Sequence, residues 1–386
     1  MKLHYKLTLL FFLFASAFLL CALLFFSQQK SKRLIAVDSD FLEAQVQEVA
    51  RDIDHYLMDG TQTVKALSVA DVVLNGLHSS NQEFAELGEE QRKERIDHLN
   101  AKWIATLDEK DPFIKSYTSN AAARYLIRVA ATSPDEFGEI FMTNRYGVIV
   151  STTNKLTTLA HTHKYWWKAA YDDGKGRVFL DDRGFDQSVQ GYAIGVVVPI
   201  KEGDEVIGIL KANLNLISGL SEALWGGPQQ GYGELSLVRS GGLIVLSKDT
   251  RPLSTTLPSE VIKDINPLVA GSREIALTGG PSSGEGHYLV AHAPVSLSLG
   301  EETIGFGGKY RSMDQYKGNK GESWMVVTKK DMTEVIEPFN GELMQLLLSG
   351  AALLLIFVLL AVWVSSKALQ SGSERVEAAR NRSGHT

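Results

Sequence analysis

Tyr165, Trp166 and Trp167 place three large rings in a row, flanked by Lys164 and Lys168. Such rings can wall a cavity and present a polar edge, and a lysine offers a point charge to a carboxylate. The plainer alternative is that one tryptophan is core and another packs a helix onto a sheet. Downstream, Asp181, Asp182 and Asp186 fall in one short stretch, with His161 and His163 before them. Nitrogen and oxygen donors of this kind can hold a metal ion. His-x-His is common in exposed loops, however, and no third element stands at a diagnostic spacing, so no metal is expected. Asp186 reads instead as a ligand-contacting or turn-forming carboxylate. Gly226-Gly227-Pro228 and Gly307-Gly308 lack the Lys and Ser/Thr of a phosphate loop and read as turn glycines. No His-Glu-x-x-His motif occurs, no nucleophile elbow is expected, and neither a catalytic residue nor a cofactor is assigned.

These residues need elements to position them. Leu42, Val46, Val49, Ile53 and Tyr56 recur at alternating spacings of four and three, with Val64, Leu67 and Asp71 to Leu74 continuing the stretch. This predicts a long amphipathic helix. A second helix is predicted over GEEQRKERIDHLNAKWIATLDEK, with Ile96, Leu99, Trp103 and Leu107 on one face, ending before Asp111-Pro112. A third covers Asn120 to Ala131 and stops at Ser133-Pro134.

The period then changes to that of strands. EIFMTNRYGVIVSTT reads as a hairpin, and RVFLDD, YAIGVVVPI and VIGILKANLNL as further strands. From Leu235 to Phe339 the scheme repeats at weaker similarity: LSLVRSGGLIVLSKD parallels IFMTNRYGVIVSTTN, HYLVAHAPV parallels YAIGVVVPI, and WMVVTKKDM supplies a last strand. The class is therefore α+β, with two related modules in tandem.

Two apolar runs frame these modules. Leu7 to Phe26 is twenty residues without a charge, and Leu346 to Val364 is equally apolar. At 1.5 Å per residue, either helix covers a hydrocarbon core of ~30 Å. The first run exceeds the usual apolar region of a signal peptide and continues into SQQKSKR, so an uncleaved anchor is expected. Cys21 is the only cysteine and excludes an internal disulfide. Two spans put both tails on one side, where Lys2, Lys6, Lys367, Arg375, Arg380 and Arg382 outnumber Lys30, Lys32 and Arg33 beside the first span, which predicts tails inside and modules outside. Setting aside the six tail bases and the acids Glu374 and Glu377 leaves 33 bases against 43 acids, a net of −10. That acidity excludes nucleic acid as a partner.

FMTNRYGVIVSTTN, KYWWKAA, GRVFLDDRGFDQS, YAIGVVVPI and VIGILKANLNL, on a long helix after an N-terminal anchor, resemble the double Cache sensor domains of bacterial chemoreceptors, sensor kinases and cyclic-dinucleotide enzymes. The likeness covers roughly Leu34 to Asn340 and is strongest from Glu139 to Leu216. It implies two PAS-like Cache modules on a long N-terminal helix, flanked by two transmembrane helices, with the membrane-distal module holding a small molecule and the proximal one relaying its occupancy. The amino-acid-binding members carry Tyr, then Arg-x-Trp-Tyr-x-x-Ala, then Tyr and Asp on a strand, and a final Asp. Here Leu159, Lys164, Trp167, Gly184 and Asn213 replace the first Tyr, the Arg, the second Tyr, the later Tyr and the final Asp; Trp166, Ala170 and Asp186 match. The resemblance thus implies a ligand site of Lys164, Trp166, Trp167, Asp186 and Asn213, with Trp166 the aromatic best placed for it, and the altered cage speaks against an amino acid.

The expected organisation is a span at 7–26, the long helix and distal module at 34–220, the proximal module at 221–340, a span at 344–366 and a short tail at 367–386. The expected function is a sensor, not an enzyme, in the inner membrane of the cell with its modules in the periplasm or extracellular space. It passes ligand occupancy to a separate cytoplasmic signalling protein. A second copy of the chain remains a candidate partner. The alternatives are a tethered extracytoplasmic hydrolase or transferase and a truncated receptor remnant.

Overall fold

The computed structural model describes residues 2–186, 191–226, 233–277, 286–299, 302–307 and 324–383. Helix α1, Lys2–Ser68, runs unbroken for 67 residues. Instead of continuing to Leu74, it stops before an extended Ala70, and α2, Asp71–Ala85, starts afresh. Helix α3, Glu89–Ala105, buries Leu99 and Trp103, while Leu107 lies beyond its end and is 85% exposed, so the expected face is one residue too long. Asp111-Pro112 opens a further helix, α4, Pro112–Thr118. Asp111 accepts a hydrogen bond from the Phe113 N–H at 2.8 Å, and a proline in the first turn forfeits no helical bond. Asn120 caps α5, Ala121–Ala130, in the same way through the Ala123 N–H.

The first sheet comprises β1 (Phe137–Asn144), β2 (Ile149–Thr152), β3 (Phe179–Asp186), β4 (Gly191–Glu202) and β5 (Glu205–Asn215), with α6 (Tyr165–Tyr171) and a 3₁₀ turn at Asp172–Gly174 between β2 and β3. Helix α7, Leu216–Trp225, leads to the second sheet. That sheet opens with β6 (Glu234–Arg239), β7 (Ile244–Ser247), β8 (Gly271–Leu277) and β9 (Gly286–Pro294), with α8 (Ser259–Asp264) before β8, and takes β13 (Trp324–Asp331) as its central strand. Short strands β10 (Ser298–Leu299), β11 (Glu302–Thr303) and β12 (Gly305–Gly307) precede β13, and α9 (Met332–Ser383) closes the chain. The expected mixed α+β class with two sheets is what the chain forms.

The strand orders are β12-β3-β4-β5-β1-β2 and β7-β6-β13-β9-β8. Without β12, both read second, first, fifth, fourth, third. The repeat extends to detail. Each first hairpin shifts register at one point, between Met142 and Thr143 or between Leu237 and Val238, and turns through a glycine of positive φ, Gly147 at +74° or Gly242 at +89°. Asn144 and Arg239 hold equivalent places, each with its N–H bonded four residues on, to Val148 and Leu243.

Gly307 is no turn residue. It ends β12, which pairs in parallel with β3 at Gly305↔Phe179, Phe306↔Leu180 and Gly307↔Asp181; Gly308 lies outside the described residues. A Cβ on Gly305 would come within 2.8 Å of the Phe179 ring, so the close approach requires glycine. A segment of the second module thus extends the first sheet. Beside it, Asp182 is fully buried and receives the Arg239 guanidinium at 2.6 Å and the Trp324 indole N–H at 3.0 Å, both from the second sheet.

Two compact units are present, Phe41–Lys330 and Met1–Asp40 with Asp331–Thr386. Within the former, α1 packs Gly60 against Leu214 of β5, and its Asp54 accepts from the Leu297 N–H at 2.7 Å. Within the latter, Leu19 approaches the backbone at Gly350, and Lys30 pairs with Glu342. Among the described residues, Leu13–Ser68 and Met332–Val364 are long and apolar enough to cross a membrane.

Removing one partner of a buried ion pair strands the other charge. Arg239→Met is therefore expected to destabilise the folded chain by about 3–5 kcal/mol, and Asp182→Leu with Arg239→Met together by less than either alone. Denaturant titration of the three variants measures both.

Candidate functional site

The face of the first sheet under α6 is apolar at one end and charged at the other. Phe141, Phe179, Val197 and Ile209 pack there with Trp166 and Trp167, against Leu99, Trp103 and Ile114. Along the same face the register aligns Asp181 of β3 with Gly195 of β4, and Gly195 with Asn213 of β5, which lies opposite Glu139 of β1. Lys211 lies two residues before Asn213, so strand alternation puts both side chains on this face.

Lys211 and Asp181 are almost wholly buried and joined at 2.7 Å; the Tyr165 hydroxyl donates to the other Asp181 oxygen. The Lys211 ammonium also lies 4.5 Å from the Trp166 ring centre. Gly195 permits this arrangement, because a Cβ there would stand 2.5 Å from Lys211 Cε. Next along, the Asn213 amide donates to Glu139 at 2.9 Å, and both residues are buried. Four buried polar or ionised side chains on one sheet face carry a desolvation cost that an ordinary core does not bear, which marks a candidate functional site.

His161 borders this group, its ring 5.4 Å from Trp166 and 5.3 Å from Phe141. Its Nε2 stands 3.0 Å from the Thr158 carbonyl, which can only accept, so Nε2 carries the hydrogen. Burial first, and then the nearby Lys164 and Lys211 ammonium groups, push its pKa down from 6.5 to about 3. The ring is therefore neutral, with Nδ1 as an acceptor. That nitrogen is buried and has no hydrogen-bond partner among the described residues.

The residues expected from sequence fall as follows. Trp166 touches the Lys211 ammonium, and Asn213 shares the face two residues along β5. Lys164 is the half-buried residue preceding α6 and acts electrostatically on His161. Trp167 is held apart from the ion pair, donating to Thr143 Oγ1 at 2.9 Å and stacking on Tyr171. The Asp186 side chain lies outside the described residues. Lys211 and Glu139 are additions, and His161, weighed from sequence only as a metal donor, enters here as a buried acceptor. A lysine inside a strand of otherwise apolar alternation is the signal that could have pointed to Lys211, and the partners it finds depend on the register. Among the described residues no cluster of His, Cys, Asp or Glu could hold a metal ion. Asp181 and Asp182 are engaged on separate cationic partners. The one Gly-x-Ser-x-Gly run, from Gly280 to Gly284, lies outside the described residues.

No protein-family model matches the chain, and no curated protein matches it in sequence. Solved structures do. The ligand-binding domain of the Campylobacter jejuni chemoreceptor Tlp3 in complex with L-valine aligns at a TM-score of 0.49 and 11% identity, over 80% of this chain and 97% of that one. The ligand-binding domain of the Pseudomonas aeruginosa amino acid chemoreceptor PctB in complex with L-Arg gives 0.44 and 12%, over 76% and 94%. The ligand-binding domain of Mlp24 with asparagine gives 0.46 and 14%, over 81% and 99%. The first two are domains of chemoreceptors, and the third is described as a ligand-binding domain.

Between pH 6.5 and about 3 the unfolded chain binds a proton at residue 161 that the folded chain refuses. Stability attributable to His161 is therefore whole above 6.5 and lost as pH falls through that window, at up to about 1.4 kcal/mol per pH unit. His161→Gln keeps a donor for Thr158 and does not titrate. Its stability is expected to fall less steeply than that of the unmodified chain from pH 6.5 to 5, as read by denaturant midpoints.

Proposed function

We propose that this chain is a membrane-anchored receptor that senses a small molecule on the α6 side of its first sheet. In this reading the apolar parts of α1 and α9 span the membrane, the two sheet modules face away from the cytoplasm, and both tails lie inside. The charged sheet face supplies recognition: Trp166 as a wall, Lys164 and Lys211 as cations, and Asn213 with Glu139 as a hydrogen-bonding edge. Asp186, which matches the pattern of the resembled family, is proposed to complete the site.

One observation carries the proposal. Asp181 and Asp182 are adjacent and both buried, yet Asp181 is bonded to Lys211 and Tyr165 of the first module and Asp182 to Arg239 and Trp324 of the second. A ligand that displaces the Lys211–Asp181 pair strains β3, and β3 bears directly on the second sheet through Asp182 and through β12. The energy available to such a relay is the ligand's difference in affinity between the two arrangements. The change then reaches the cytoplasmic side through the helices, by the shifts of about 1–2 Å that packed helices make.

Two measurements test this. A thermal-shift screen of the full chain in nanodiscs against a metabolite library is expected to yield a stabilising compound. A ligand at 100 times its dissociation constant adds ~2.7 kcal/mol, and Trp166→Ala should abolish the shift. A compound that stabilises both proteins equally binds elsewhere and overturns the site. Separately, a reporter fused at Thr386 is expected to be active only if it is a type that works in the cytoplasm; the reverse pattern would invert the topology.

A further inference from the structure

A carboxylate beside an aromatic face is the chemistry that holds a free ammonium group. Asp181, Tyr165 and Trp166 make such a site, and the group found in it belongs to the chain itself, the Lys211 ammonium at 2.7 Å from Asp181 and 4.5 Å from the Trp166 ring centre. Both Asp181 oxygens are engaged, one by Lys211 and the other by the Tyr165 hydroxyl. Gly195 leaves the lane across β4 along which the lysine stem runs, since a Cβ there would lie 2.5 Å from Cε and 3.0 Å from Nζ. Lys211 is 1% exposed, so its ammonium has given up its water for these partners. The register that delivers it is set by the pairings Val197↔Lys211 and Phe141↔Lys211.

We infer that Lys211 is a specificity-determining residue, a tethered ammonium that occupies the cation position of the site and so excludes ligands bringing a primary ammonium to Asp181. This deepens the sensor reading above and rests on it for the word ligand; the occupied cation site is tested without it. The buried acceptor at His161 Nδ1 then defines the complement that remains, a hydroxyl or amide N–H donor. The molecule sensed is accordingly a small compound with such a donor and no primary ammonium at that end.

The test uses the full chain in nanodiscs with n-propylammonium, which matches the lysine side chain beyond Cβ, and propan-1-ol, of the same length without charge. The unmodified chain is expected to show no change in melting temperature with either. Lys211→Ala is expected to melt lower and to regain about 2–4 °C with n-propylammonium, with no response to propan-1-ol, and to lose the gain when Asp181→Asn is added. Equal responses to the amine and the alcohol would mean cavity filling only and would overturn the inference. So would a variant that responds to neither. The unmodified chain provides an arm that needs no variant to fold, because its stabilisation by n-propylammonium and not by propan-1-ol would show the cation position open and overturn the inference. None of these outcomes depends on finding the sensed molecule, so failure here is distinguishable from failure of the library screen.

Discussion

Two adjacent carboxylates without water constrain the two-sheet unit more than any other feature. Each of Asp181 and Asp182 costs several kcal/mol to bury unless a cation and further donors meet it. The cations come from far along the chain, Lys211 from β5 and Arg239 from β6, so satisfying the first carboxylate fixes the register of the first sheet and satisfying the second fixes the second sheet against it. Strand alternation sends neighbouring side chains to opposite faces, which is how one dipeptide comes to serve two modules.

Neighbouring features conform to that constraint. Gly195 is bare because the Lys211 stem crosses it, and Gly305 is bare because β12 must lie close against Phe179. Phe306 of β12 packs edge-on against Trp324, whose indole N–H serves Asp182, so the added strand and the buried ion pair support each other. A fold built this way has no slack at β3, where the polar face of the first sheet and the attachment of the second converge. The apolar clusters lie to either side of this junction: Phe141 and Phe179 with the α6 tryptophans in the first module, and Val238, Ile275, Val290 and Met325 in the second.

The duplicated strand order also shows how a weak repeat persists. The hairpin turns that need positive φ keep glycine at Gly147 and Gly242, because a side chain there is strained whatever surrounds it. The turn-flanking positions are free to diverge. Asn144 uses its side chain to bond the Tyr146 and Val148 N–H groups of its own turn, whereas Arg239 at the equivalent place reaches across to Asp182. One copy closes on itself and the other joins the modules.

Local chemistry made much of this readable in the chain. Uninterrupted apolar runs, alternating spacings of three and four, strand periodicity and the paired hairpins are short-range patterns, and they determined the helices, the mixed class and the tandem sheets. A motif of fixed spacing named Trp166 and Asn213, and the register sets both beside the Lys211–Asp181 pair. What could not be read locally was decided by tertiary structure, because it depends on pairings across long stretches of chain: Lys211 meeting Asp181, Glu139 meeting Asn213, Arg239 crossing to Asp182, and a three-residue strand around Gly305 too short to carry a period. Charge burial has no sequence period at all. Whether a lysine or an aspartate lies in water or in a core is settled only when the sheet register brings its partner within about 3 Å.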